Sequence, residues 1–251
     1  MCFDLDSVPP VPSLSGAAVS NRDLVLEAAD GNRFAAFEAM PDETAGVGVA
    51  ILPDVRGLYR FYEELALRFA ERGYAAVALD YFGRTAGIDK RGAGFEYMPH
   101  VGQTTPESVQ ADVAACVAHL RAEECARIVS VGFCFGGRHS WLAAAGGYDL
   151  AGAIGFYGRP GTGADGSPGP TQRAPELACP ILGLMGGNDA GIPLEDVAAF
   201  DAALDDAGVE HELVVYDGAP HSFFDRKQEE FATESANAWN RTLAFIDANA
   251  H

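Results

Sequence analysis

Val131 Gly132 Phe133 Cys134 Phe135 Gly136 Gly137 passes from an apolar run into a glycine-rich one, and it reads as a buried strand turning sharply into a helix with a thiol at the apex. A strained turn of this kind needs small neighbours, supplied here by Gly132 and Gly136, so that the Cys134 backbone clears the helix that follows. The pattern predicts an exposed, reactive sulfur.

Around that turn the strand covers 128–133 and the helix 135–145. Upstream, 23–27 and 33–39 read as a hairpin about Asp30 Gly31 Asn32, and Val47 to Leu52 is continuously apolar, as a strand buried on both faces must be. A helix over 59–72 sets Leu58, Phe61, Tyr62, Leu65 and Phe69 on one stripe and stops at Gly73. A strand at 75–79 leads into a long polar and aromatic loop, 80–105, of a length that is usually functional. A helix over 107–123 follows, with Val109, Val113, Val117 and Leu120 inward. Downstream, strands at 151–156, 181–186 and 210–215 alternate with a helix at 194–207, and a helix over 228–248 closes the chain.

This βαβ series implies a mostly parallel central sheet with helices on both faces. The Gly- and Pro-rich segment 158–178 is too short to hold an inserted helical domain, so the expectation is an α/β domain over 21–251 with no large lid. Residues 1–20, with Pro9, Pro10 and Pro12, read as a poorly ordered or surface-hugging extension.

The chain has 251 residues, 48% of them hydrophobic, enough for one substantial core. Lys and Arg number 17 against 36 Asp and Glu, and the resulting charge of −19 repels nucleic acid and anionic membranes. The five cysteines, Cys2, Cys116, Cys125, Cys134 and Cys179, are scattered and odd in number, without the paired spacing of a zinc ribbon or a disulfide framework. Free thiols in a reducing cytosol are expected. No basic and apolar leader precedes the domain, and no segment approaches the roughly 20 apolar residues of a membrane span. A cytoplasmic protein without nucleic-acid or membrane partners is the expectation.

Two further strand ends carry chemistry. Asp189, in Met185 Gly186 Gly187 Asn188 Asp189, follows the strand 181–186, where a plain turn aspartate or helix cap would also fit. His221, in Gly218 Ala219 Pro220 His221 Ser222 Phe223, follows the strand 210–215, where a surface histidine would also fit. With Cys134 they appear in the order nucleophile, acid, histidine that α/β-hydrolases use. A free cysteine is only a few per cent thiolate at neutral pH, so His221 is the expected base, steadied by Asp189, with the helix dipole at 135 favouring the anion. The oxyanion of an attacked carbonyl would be held by the amides of Phe135 and Val55, the latter in Pro53 Asp54 Val55 Arg56 Gly57. Arg84 is a candidate for an anionic substrate group, or else a partner for surface carboxylates; Tyr157 and Phe223 are candidate lining residues, or else packing. His119 and His139 have no sequence neighbour at metal-ligand spacing, no Gly-x-Gly-x-x-Gly follows the first strand, and Gly132 to Gly137 lacks the P-loop lysine and following Ser/Thr, so neither metal nor cofactor is expected.

Taken together, Gly132 to Gly137, the Gly-Gly-x-Asp turn and the Gly218 to Phe223 motif resemble the dienelactone hydrolase family, carboxymethylenebutenolidase-like proteins of the α/β-hydrolase fold. The likeness runs from about residue 22 to 246 and includes Arg72 to Val77 and Asp80 to Arg84. It implies a cofactor-free Cys-His-Asp hydrolase that opens an unsaturated lactone bearing a carboxylate, or cleaves related activated esters. A broad carboxylesterase or thioesterase, or a non-catalytic thiol sensor, would share the scaffold. In the family a glutamate beside the oxyanion loop holds and activates the resting thiol; the residue here is Asp54, one methylene shorter. The family's carboxylate-binding arginine four positions after the histidine is replaced by Asp225, with Arg226 one step later, which leaves Arg84 as the matching clamp.

Overall fold

The computed structural model describes residues 7–92, 94–225 and 227–250; Arg226 and Cys2 lie outside the described residues. Eight strands form one sheet in the order β1-β2-β4-β3-β5-β6-β7-β8. β1 (Val19–Glu27) and β2 (Arg33–Pro41) make an antiparallel hairpin, β2 pairs antiparallel with β4 (Ala75–Leu79), and every later pairing is parallel. The parallel part consists of β3 (Val47–Leu52), β4, β5 (Arg127–Phe133), β6 (Gly152–Phe156), β7 (Ile181–Gly186) and β8 (His211–Tyr216). β3, β4, β6 and β7 are buried at every position, which is why their sequences are unbroken apolar runs rather than alternating ones.

Helices cover both faces. α1 (Arg60–Ala70) and the closing helix α7 (Ala232–Ala250) share one face, where Phe69 meets Trp239 at 4.8 Å. Two very short helices, α2 (Gly83–Ala86) and α3 (Met98–Val101), interrupt the segment read as a loop. The other face holds α4 (Pro106–Ala122), α5 (Phe135–Ala143) and α6 (Leu194–Ala207): Gln110 of α4 donates to the His139 carbonyl of α5, and Trp141 of α5 meets Phe200 of α6 at 5.1 Å. α4 starts where it does because Thr105 and Ser108 cap it reciprocally and Pro106 needs no amide partner in the first turn.

The boundaries differ most from the sequence reading near the two ends of the chain. The hairpin is longer than its apolar core, with register from Val19 opposite Pro41 to Glu27 opposite Arg33, so the first strand begins inside the segment read as an extension. Residues just before it lie along the surface, with Val11 buried, the Leu14 amide donating to Glu71 and the Val8 carbonyl accepting from Gln228. The last helix begins at Ala232 rather than 228, because 227–231 is tied into turns, Lys227 bonding back to Ser222.

Between β3 and β5 the sheet reverses direction: the chain goes from β3 outward to β4, then returns to lay β5 on the other side of β3. Such a switch point opens a crevice beyond the carboxyl ends of the strands. Cys134 stands there.

Candidate active site

Cys134 joins β5 to α5 with φ 54° and ψ −112°, a conformation that ordinary L residues avoid. The turn can close only without side chains on its flanks. A Cβ on Gly132 would lie 2.0 Å from the Gly136 carbonyl oxygen, and one on Gly136 would lie 2.1 Å from that of Leu52. The Cys134 amide is anchored to Phe156 of β6 at 3.0 Å, and Arg138 one turn on bonds back to the Cys134 carbonyl. The thiol is partly accessible, whereas Cys116, Cys125 and Cys179 are buried and burial pushes their thiols up to about 12, 11 and 12.

Asp189 leaves the end of β7 and is 8% exposed. One carboxylate oxygen accepts from the Gly191 amide at 2.8 Å; the other lies 2.6 Å from Nδ1 of His221. His221 is presented by the turn after β8, which is tied to the β7 turn through the Asn188 amide and the Ala219 carbonyl. Its ring rests 4.9 Å from that of Tyr157. Tyr157 (φ 37°) and Ser222 (φ 63°) share with Cys134 a positive φ; among the described residues only Glu124 and Asp149 are further non-glycine cases. Strained backbone is thus gathered at the ends of β5, β6 and β8.

Cys134 and His221 line one cavity of about 580 Å³, together with Val55, Phe135 and Tyr157. Phe135 is the first residue of α5, so its amide has no carbonyl one turn back to bond. The structure therefore brings together Cys134, His221, Asp189, Phe135, Val55 and Tyr157.

Three of the expected residues are placed elsewhere. Arg84 does not line the cavity: its guanidinium is held by Asp30 at 2.8 Å and Asp112 at 2.7 Å, and Asp112, itself wholly buried, also accepts from Asn32. The acid-rich surroundings of the hairpin claim this arginine. Phe223 turns inward and is fully buried against Tyr157 and Tyr216. Asp54 is fully buried and makes no hydrogen bond to Cys134; its carboxylate turns back onto its own loop, accepting from the Arg56 amide at 2.8 Å and facing the Arg56 guanidinium at 3.4 Å. The shorter side chain holds the loop that carries Val55. Asp225, where the family has an arginine, is buried and accepts from the Tyr157 hydroxyl at 2.8 Å.

Sequence reasoning missed the support beneath the site. The Tyr81 hydroxyl donates to the Pro53 carbonyl at 2.8 Å, its ring packs edge-on against Phe135 at 5.1 Å, and burial raises its pKa well above the usual range. Asp80, wholly buried, accepts from the Leu58 and Phe82 amides and pairs with Arg91 at 2.8 Å, tying the 80–105 segment to the loop after β3. Arg138 and His139 on α5, with Arg159 after β6, form another part of the cavity wall. The Arg138 guanidinium donates to the carbonyls of Arg159, Gly161 and Pro168 and so holds the 159–168 loop in place. The signal for Arg138 and His139 was their spacing of four and five residues from Cys134 on one helix.

His119, isolated in sequence, does acquire companions in space. Glu38, His119 and Glu123 bring ligand-type atoms within 4.8 Å of one another, as do Asp201, Asp205 and His211. In the first cluster the Arg22 guanidinium already bonds Glu38 and Glu123, and neither cluster borders the Cys134 cavity.

The sequence matches the profile of the "Dienelactone hydrolase family" over residues 34–249. An Escherichia coli (strain K12) protein named "Putative carboxymethylenebutenolidase" is 30% identical over 224 residues, spanning 86% of this chain and 83% of that protein. A Klebsiella pneumoniae crystal structure described as a "Putative Dienelactone Hydrolase" superposes with a TM-score of 0.80 at 25% identity, over 92% of this chain and 99% of that one. The Pyrococcus furiosus esterase Pf2001 superposes with a TM-score of 0.71 at 17% identity, over 99% of this chain and 100% of that one, a likeness of fold.

Proposed function

Since the chain belongs to the dienelactone hydrolase family and is a carboxylic ester hydrolase, we propose that it opens small lactones such as dienelactone, and related activated esters, through a Cys134-His221-Asp189 triad and a thioester intermediate. The observation that supports this most is the meeting of Cys134 and His221 around one cavity with the Asp189 carboxylate 2.6 Å from the imidazole.

In this reading His221 takes the thiol proton as Sγ attacks the carbonyl carbon, and the carbonyl π electrons move onto oxygen, where the Phe135 and Val55 amides donate to them. As the C=O re-forms, the ring C–O bond breaks and the departing alkoxide takes the proton from His221. The product is a thioester with a free hydroxyl on the same molecule. A water then gives its proton to His221 and attacks the thioester carbon; the C–S bond breaks, the thiol is reprotonated and the hydroxy acid leaves. Asp189 holds the imidazole in the tautomer that faces the sulfur and stabilises it when charged. Asp54 has a different part from the family glutamate: it fixes the loop that positions Val55. Tyr157 forms a wall beside His221.

Cys134→Ala is expected to lose at least about a thousandfold in kcat/KM on a panel of unsaturated lactones and 4-nitrophenyl esters. Iodoacetamide near neutral pH is expected to inactivate in step with carbamidomethylation mapped to Cys134, since Cys116, Cys125 and Cys179 are buried with raised pKa values. Undiminished turnover by Cys134→Ala would overturn the mechanism, and rapid alkylation of a protein that turns over no member of the panel would overturn the lactone and ester activity.

A further inference from the structure

His139 lies on α5 five residues beyond the nucleophile and forms part of the cavity wall. It is 4% exposed, and its Nδ1 is shut off from solvent with no hydrogen-bond partner. Its ring packs at 4.4 Å against Phe135, and the bond tying the residue across to α4 goes through its backbone, whose carbonyl accepts from Gln110 at 3.0 Å. A buried imidazole that packs like an aromatic ring and leaves a nitrogen unpaired costs stability that phenylalanine at the same place would not. Nε2, at the tip of the ring, is the nitrogen left for a molecule in the cavity.

Burial, reinforced by the charge of Arg138, pushes the imidazole down to about 3, so at ordinary pH it is neutral and offers one N–H and one lone pair. The charged groups beside it are Arg138, Arg159 and Asp165, one positive charge in excess. Arg138 is committed to three loop carbonyls, and the wall carries both Arg159 and Asp165, the latter kept anionic by bonds from Ser167. The cavity of about 580 Å³ would hold about twenty waters at their liquid volume of about 30 Å³ each, well beyond what a single five-membered ring fills.

We propose that His139 is the recognition residue of a second subsite in this cavity, which takes an uncharged hydroxyl on the acyl portion of the substrate. The inference rests on the hydrolase reading above and extends it to substrate class: esters or lactones of hydroxylated acids. A hydroxyl donates and accepts, so it satisfies either tautomer of a neutral imidazole, whereas a carboxylate only accepts and suits the Nε2–H tautomer alone.

The test measures binding rather than turnover. The Cys134→Ala protein is titrated calorimetrically with ethyl hexanoate and with its 3-, 4- and 5-hydroxy derivatives. At least one hydroxy ester is expected to bind about three- to tenfold more tightly than ethyl hexanoate. Adding His139→Phe is expected to bring that ratio to about one while the thermal midpoint holds or rises, since an unpaired buried nitrogen becomes a C–H. His139→Gln, which keeps a donor and an acceptor, is expected to retain part of the preference. No preference at any position, or a preference that survives His139→Phe, overturns the subsite. Because these readings are taken without the nucleophile, a wild-type enzyme that fails to turn over its panel would sink the hydrolase reading without touching this one.

Discussion

At the scale of single residues, the Cys134 backbone is where folding and chemistry conflict. A non-glycine residue at φ 54°, ψ −112° carries about 1–3 kcal/mol of strain, against about 0.5–1 kcal/mol of extra chain entropy lost when glycine is fixed instead. Cys134→Gly is therefore expected to unfold with a free energy about 1 kcal/mol higher than wild type in urea titration, while lacking hydrolytic activity. A lower stability would mean that the sulfur's packing outweighs the strain. Gly132 and Gly136 were legible as necessities of the bend. The elbow itself was legible because few sequences put glycines two residues either side of a cysteine between an apolar run and a helix. Asp54 and Arg84 were misread for one reason: sequence gives a residue's place along a strand end, but which partner its charge finds depends on elements brought in from elsewhere.

At the scale of elements, apolar runs and helical stripes gave the succession of strands and helices from β3 onward, whereas the length of the first hairpin and the short helices α2 and α3 escaped. β1 is largely exposed, so its outer half carries no burial pattern to read. Arg84 joins α2 to the β1-β2 turn and to α4 through Asp30 and Asp112. Arg84→Met strands the fully buried Asp112 with Asn32 alone, and a loss of about 2–3 kcal/mol is expected in chemical unfolding. Asp112 already has a pKa raised by burial, even with Arg84 lowering it, and removing the arginine raises it further. A carboxyl whose folded pKa exceeds its unfolded value takes up its proton first in the folded state, so stability is gained as pH falls through the folded pKa. The deficit of Arg84→Met should accordingly narrow as the pH is lowered from neutrality toward the raised pKa of Asp112. Because Arg84 stands outside the cavity, the variant's KM ratio for carboxylate-bearing against neutral lactones should match wild type; a selective rise for the former would return Arg84 to substrate binding.

At the scale of the whole molecule, an excess of 19 negative charges makes the compact state repel itself. Raising ionic strength from about 0.01 M to 0.3 M shortens the Debye length from about 30 Å to below 10 Å. The melting midpoint is expected to rise by about 2–4 °C, the shift that about 1 kcal/mol produces in a chain of this size. A fall would show that the paired surface charges outweigh the unpaired excess. No helix among the described residues is long and apolar enough to cross a membrane. Arg138 has a consequence at this scale too. By gripping the carbonyls of Arg159, Gly161 and Pro168 from the helix that follows Cys134, it makes one rim of the crevice a fixed jamb rather than a door. Any widening of the crevice to admit bulkier molecules must then come from the rest of its lining, which includes residues 101–106 and Gly191 and Ile192.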